Sequence, residues 1–260
     1  MNSIILFQGN YSNADVVCKY NQQSTRKIDP SIEEKTKQIW EEKLQAAKES
    51  GKKMWDQPVY RLDNFHLDKN KCELSISTIP FSIRTFIKDF TDELLKKGEE
   101  YLPMALYSSV FIETADGYFV FGEKSDIYVS NRKYSYIGGV FNKSETQDDI
   151  PDPFSSSSSE VIEELGIDST DIKEFKLLGA LRSESCNVAL VFYCKLKLNR
   201  NELIEKFKLR NELEMKDLFF SKKEDVRDVC INKIAKEPEF FDIFKQSLNE
   251  WDSPRYPCSW

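Results

Sequence analysis

"SSSSSEVIEELGI", residues 155–167, is the stretch on which the fold turns. Five consecutive serines have the composition of a flexible linker. Immediately upstream, however, Asp152-Pro153 reads as a helix start, with Asp as N-cap and Pro in the first turn. Gly166 closes the segment as a helix stop does. A helix here puts Glu160, Glu163 and Glu164 on one face, because residues three and four apart are neighbours. Like charges at that spacing destabilise a helix by roughly 0.2–0.5 kcal/mol per pair. Three readings therefore stand: a linker, a solvated acidic face, or a site for a hard divalent cation, which takes carboxylate oxygens and keeps waters and phosphates as its other ligands.

The rest of the chain narrows the choice. Its 260 residues suffice for one large domain or two small ones, and 18 phenylalanines with 40% hydrophobic residues indicate a packed core. A net charge of −7 argues against sequence-independent nucleic-acid binding, which needs a basic surface, but leaves room for a local phosphate pocket. The six cysteines form no CxxC pair, so zinc knuckles and thioredoxin-like chemistry have no support. With no basic, apolar leader and no run of about 18–20 apolar residues, the expected location is the cytoplasm, or cytoplasm and nucleus, away from membranes. His66, in "DNFHLDKN", is the single histidine and reads as an ordinary surface or turn residue. That count removes paired-His metal sites, and with His66 read as an ordinary residue it argues against a Ser-His-Asp triad, so the expected general base is Glu, Asp, Lys or Tyr.

Local patterns predict the elements. "SIILFQG" and "DVVCKY" read as a short N-terminal hairpin, and residues 31–50 as an amphipathic helix capped by Ser31. "PVYRLDNFHL" and "CELSISTI" alternate as paired strands, and "PFSIRTFIKDFTDELLKK" has helical spacing. "MALYSSVFIETADGYFVFGEKS" is a hairpin around Asp116-Gly117. "FKLLGALRSESCNVALVFYCKLKL" gives two more strands, "KDLFFS" another, and residues 222–251 one or two helices. The predicted class is α/β: a mixed-sheet domain over 101–260 behind a small α+β extension over 1–100.

"YIGGVFNKSE" precedes the acidic segment, and two adjacent glycines after a strand permit close backbone approach to a ligand. Gly139 is followed after five residues by Glu145, and "EVIEELGI" supplies Glu160, Val161, Glu163, Glu164, Gly166 and Ile167. In this order the residues resemble the Nudix box of the Nudix hydrolases, G-x5-E-x7-R-E-U-x-E-E-x-G-U, where U is aliphatic. Two departures stand out: thirteen residues rather than seven separate Glu145 from Ser159, and Ser159 occupies the box arginine position. The chain is further similar to the UDP-glucose (UDP-sugar) pyrophosphatase branch, which has an N-terminal extension, a long box insertion and no box arginine. Trp40, Trp55, Asp56, Tyr60 and Arg61 carry that likeness in "IWEEKLQAAKESGKKMWDQPVYRL". Arg84 and Phe86 carry it in "PFSIRTF", where Ile83 replaces the branch's tyrosine. "DPFSSSSSEVIEELGI", "LLGALRSESCNVALVFYCKL" and "ELEMKDLFF" follow in the branch's order, over about 180 residues in all.

The resemblance implies a Nudix-type α/β/α sandwich and a Mg²⁺- or Mn²⁺-dependent pyrophosphatase that cleaves UDP-glucose or UDP-galactose to UMP and sugar 1-phosphate. It implies Glu160, Glu163 and Glu164 as catalytic and metal-binding residues, with Glu160 or Glu163 as base, and Glu214 as a further metal ligand. The small-molecule substrate is expected to meet Trp55, Arg61, Phe81, Arg84, Gly138, Gly139 and Arg182. Core packing remains the alternative for Trp55 and Phe81, and an ordinary surface position for Arg182. A Nudix fold that binds a nucleotide without turnover, and a hydrolase of ADP-ribose, dinucleotide polyphosphates or capped RNA, are the rival functions.

Overall fold

The computed structural model describes residues 3–51, 54, 56–125, 133–143, 151–234 and 237–249. Its strands are β1 (Ile4–Tyr11), β2 (Val16–Tyr20), β3 (Pro58–Asp68), β4 (Lys71–Pro80), β5 (Leu106–Glu113), β6 (Tyr118–Lys124), β7 (Tyr134–Ser135), β8 (Ile172–Arg182), β9 (Val188–Leu196) and β10 (Met215–Lys222). Its helices are α1 (Pro30–Glu49), α2 (Phe81–Phe86), α3 (Thr91–Leu95), α4 (Pro153–Leu165), α5 (Arg200–Leu209), α6 (Val226–Val229) and α7 (Pro238–Asn249).

Strict alternation builds the larger sheet. Along β9, Leu190, Phe192 and Cys194 face one core, while Ala189, Val191 and Tyr193 face another. Val110 and Ile112 of β5 fall on the first side and Phe111 on the second. Side chains of successive strand residues point to opposite faces, so a sheet apolar at every position must be covered twice. On one face α4 contributes Phe154, Val161 and Leu165, and α5 contributes Leu203 and Phe207. On the other, α6 and α7 contribute Val226, Val229, Phe240, Ile243 and Phe244, with Phe244 stacked on Phe111 at 4.4 Å between ring centroids. The result is the expected three-layer α/β class with a mixed sheet. Strand order is β1-β8-β9-β5-β6-β10, with β7 beside β6. The β5–β9 pair is parallel, and its neighbours are antiparallel.

The serine tract is helix, not linker. Asp152 Oδ1 accepts from the amides of Phe154 and Ser155 at 3.0 and 3.1 Å, Pro153 opens the first turn, and Gly166 ends the helix. Buried Phe154, Val161 and Leu165 then dock it on the sheet.

The structure corrects four local expectations. β1 and β2 do not form a hairpin: a turn at Ser12–Asp15 redirects the chain, so that β1 pairs with β8 and β2 runs parallel to β4. α1 is capped by Asp29, not Ser31, because a carboxylate ahead of Pro30 takes the Ser31 and Ile32 amides. Residues 81–95 are two short helices, and at the break the Thr91 hydroxyl donates to the Lys88 carbonyl at 3.1 Å, competing with helix propagation. α5 has no counterpart in the sequence reading, although Asn199 and Glu202 form a reciprocal cap at its start.

The smaller sheet, β2-β4-β3, abuts the larger through backbone contacts. The Tyr60 amide donates to the Phe141 carbonyl at 2.8 Å, and the Leu62 amide to the Met104 carbonyl at 2.9 Å. These contacts hold the α1–α2 region against the segment that carries Gly138 and Gly139.

Candidate active site

A cavity of about 720 Å³ opens where these parts meet. Trp40 of α1, Phe81 and Arg84 of α2, Ser108 of β5, Gly138 and Gly139, Glu160 of α4, Asn187 and Glu214 all line it. That volume falls in the range of small-molecule sites, roughly 300–1,000 Å³.

The two glycines bring backbone and carboxylate together. Gly138 has φ +138°, and a Cβ there would lie 2.6 Å from the Ser108 carbonyl oxygen. At Gly139 a Cβ would run into the Glu160 carboxylate. Ser108 fixes the segment, its amide donating to the Gly139 carbonyl at 2.8 Å and its hydroxyl accepting from the Gly139 amide at 3.1 Å. Glycine is therefore needed at 138, to pass the neighbouring strand, while a side chain at 139 would push the Glu160 carboxylate aside.

Glu164 sits behind this wall, 3% exposed, and its Oε2 has no hydrogen-bond partner. Burial pushes its carboxyl up to about 9, and the charges of Glu214 and Glu160 add to the rise; the Gly138 amide opposes it by hydrogen bonding. Glu212 raises it further from the same loop as Glu214. Arg210 anchors that loop, its guanidinium donating to the carbonyls of Phe207 and Met215 and lying over the Phe207 ring. Lys124 approaches Glu214 at 3.9 Å.

Repulsion among buried carboxylates is relieved by a proton or by a cation. An orphaned buried oxygen flanked by two further carboxylates fits a hard divalent ion. Among the described residues no group of three or more His, Cys, Asp or Glu side chains is placed to hold a metal ion together. Mg²⁺ does not require one, since it commonly binds through one or two carboxylates with waters and substrate phosphates.

The expected site residues divide as follows. Glu160, Glu214, Phe81, Arg84, Gly138 and Gly139 line the cavity, and Glu164 lies beneath it. Glu163 is exposed and is not among the residues lining the cavity. Arg61 is 3% exposed and lies outside the lining, its guanidinium held by Asp63 and by the Thr25 hydroxyl at 3.2 Å. Arg182 is also outside it, paired with Glu99 at 2.8 Å. Trp55, Glu145 and residues 144–150 of the inserted loop lie outside the described residues. Asp56 accepts from the Ser82 amide and hydroxyl, each at 2.7 Å, and so anchors α2 at the cavity edge.

Sequence reading missed Glu212, Lys124 and Asn187. The alternation Glu212-Leu213-Glu214 was a usable signal for a second acidic residue beside the helix. Nothing local marks Lys124 or Asn187, which reach the cavity through strand pairing.

No family model matches the sequence, and no curated protein matches it. Solved structures with a similar chain trace include a MutT protein from Methanosarcina mazei, 15% identical over 57% of this chain and 96% of that one, with a TM-score of 0.35. A NUDIX hydrolase from Nitrosomonas europaea is 11% identical over 59% of this chain and 92% of that one, with a TM-score of 0.34. The C. elegans Ap4A hydrolase in a binary complex is 14% identical over 56% and 98%, with a TM-score of 0.38. Likeness at this level carries no argument for chemistry, which rests on the side chains of the cavity.

Proposed function

We propose that the protein is a Nudix-type, Mg²⁺- or Mn²⁺-dependent pyrophosphatase of nucleoside diphosphate derivatives, with a UDP-sugar such as UDP-glucose or UDP-galactose as substrate. The observation that carries this reading is the carboxylate group of Glu160, Glu164 and Glu214, assembled by α4 and the loop before β10 against Gly138-Gly139. One or two of the Glu160, Glu164 and Glu214 carboxylates would hold the cation alongside waters and substrate phosphates, with Glu163 as the exposed outer member of the set. When bound, such an ion neutralises diphosphate charge and lowers the pKa of a bound water. Glu160 is the better placed base, because it reaches the cavity while Glu163 faces solvent. Gly138 and Gly139 would let the substrate diphosphate approach the backbone, and Arg84 adds a guanidinium to the same cavity.

The UDP-sugar assignment rests on the sequence resemblance, supported by Phe81 and Arg84 at the cavity. A second reading, nucleotide binding without turnover, is favoured by Ser159: it is exposed and stands where the box arginine would orient a glutamate. The test is phosphate-coupled turnover across UDP-sugars, ADP-ribose and dinucleotide polyphosphates, with Mg²⁺ and with EDTA. Metal-dependent cleavage confined to UDP-hexoses is expected. Cleavage of another member keeps the chemistry and discards the substrate, and binding without any product leaves only the second reading.

A further inference from the structure

Among the described residues lining the cavity, two carry positive charge, Arg84 and Lys124. Arg84 belongs to α2, its guanidinium 5.6 Å from the Phe81 ring centroid. Lys124 stands beside the carboxylates. It ends β6, and backbone pairing fixes its place. It lies across from Met215 in the β6–β10 register, and the next amide, that of Ser125, donates to the Glu214 carbonyl at 2.9 Å. The lysine stem therefore starts next to the loop that carries Glu212 and Glu214.

The ammonium is not locked there. Its Nζ is 3.9 Å from Glu214 Oε1, beyond hydrogen-bond range, and the two side chains are 26% and 36% exposed. Ion pairs elsewhere in the fold are closed: Lys206 reaches Asp168 and Asp171 at 2.6 and 2.8 Å, and Lys195 reaches Glu113 at 2.5 Å. A loose pair in part-exposed surroundings holds weakly and can exchange partners. A divalent ion on Glu214 would set positive charge close against Lys124 Nζ and drive the two cations apart. The displaced ammonium, with three donors on a flexible stem, suits a phosphate oxygen in the same cavity. Cleavage of a diphosphate diester into two monoesters raises the negative charge there, which gives a second cation a use.

We propose that Lys124 is an exchangeable counter-ion: it pairs with Glu214 in the metal-free protein and passes to the substrate's diphosphate when a divalent metal takes Glu214. This rests on the metal-dependent pyrophosphatase reading above, and it links metal binding to substrate binding through one lysine.

The experiment titrates Mn²⁺, followed by the electron paramagnetic resonance of the free ion, into the full chain and into Lys124→Met and Lys216→Met. Lys216, 59% exposed on β10 and outside the cavity lining, controls for the lost charge. Calorimetry in saturating Mn²⁺ then measures binding of the α,β-methylene analogue of UDP, whose bridge cannot be hydrolysed, to the same three proteins. Lys124→Met is expected to bind Mn²⁺ about threefold more tightly, the scale of a part-exposed pair. The same variant is expected to bind the analogue about tenfold more weakly, the scale of a lost charged hydrogen bond. Lys216→Met should match the wild type in both. Mn²⁺ affinity unchanged or lowered in Lys124→Met, an equal rise in Lys216→Met, or an unchanged analogue affinity overturns the exchange. A wild type that takes up no Mn²⁺ removes the metal-dependent reading and the exchange together. Both shifts in a protein that cleaves none of the nucleotides offered would sink the hydrolase reading and leave Lys124 its role. Metal-dependent turnover without the shifts sinks the exchange alone.

Discussion

Replacing Glu164 with glutamine should make the metal-free protein more stable. In the fold the Glu164 carboxyl is raised from the ordinary 4.5 to about 9, first by burial and then by Glu214 and Glu160. The unfolded chain ionises this group near 4.5, while the folded chain keeps it protonated to about 9. Folding therefore takes up a proton across that window. The group's contribution is complete below the lower value and falls as pH rises toward the upper one, by about 1.4 kcal/mol per pH unit. At pH 7 the accumulated loss is about 3 kcal/mol. Glutamine keeps the shape, still accepts from the Gly138 amide, and does not ionise. In EDTA at pH 7, Glu164→Gln should gain about 3 kcal/mol, or roughly 6–12 °C in Tm for a chain of this size. The gain should shrink toward zero near pH 4.5. Mg²⁺ should stabilise the wild type more than the variant, since a ligand stabilises the state that binds it. Denaturant unfolding at several pH values, with EDTA and with Mg²⁺, measures all three. A variant no more stable than wild type at pH 7, with an unchanged pH slope, would refute the picture of a carboxylate held under like charge.

Other outcomes follow from single contacts. Gly139→Ala puts a methyl against the Glu160 carboxylate and displaces it, so metal-dependent turnover should fall while circular dichroism stays native. Asp152→Ala removes the cap that holds the serine tract in helix and should cost about 1 kcal/mol in denaturant unfolding. Phe244→Ala empties the face where that ring stacks on Phe111, with an expected loss of about 3–5 kcal/mol by the same assay and little change in KM.

How much of this was legible beforehand depended on range. The box helix could be read because its signals are local: an Asp-Pro start, glutamates at helical spacing and a closing glycine. The hairpin at Asp116-Gly117 and the β8–β9 pair were legible for the same reason. The N-terminal strands were not, because alternation marks Ile4–Tyr11 as a strand without naming its partner, and β8 lies about 170 residues away. At the site, spacing placed Glu160 and Glu164 on one helix, but only tertiary packing separates the cavity-lining Glu160 from the buried Glu164 and the exposed Glu163. Arg61 and Arg182 look alike in sequence as phosphate binders, yet each is engaged by a carboxylate outside the cavity. Lys124 carries no sequence signal, since only the pairing of β6 with β10 brings it beside Glu214.

The most direct test of the central claim is ³¹P NMR of UDP-glucose with the wild-type protein and with Glu160→Gln, each in Mg²⁺ and again in EDTA. The expected result is conversion of the diphosphate resonances to UMP and glucose 1-phosphate by the wild type in Mg²⁺ alone, with the variant and both EDTA samples silent. Cleavage that persists in EDTA, or at an unchanged rate in Glu160→Gln, would contradict a metal-dependent site built on the α4 carboxylates.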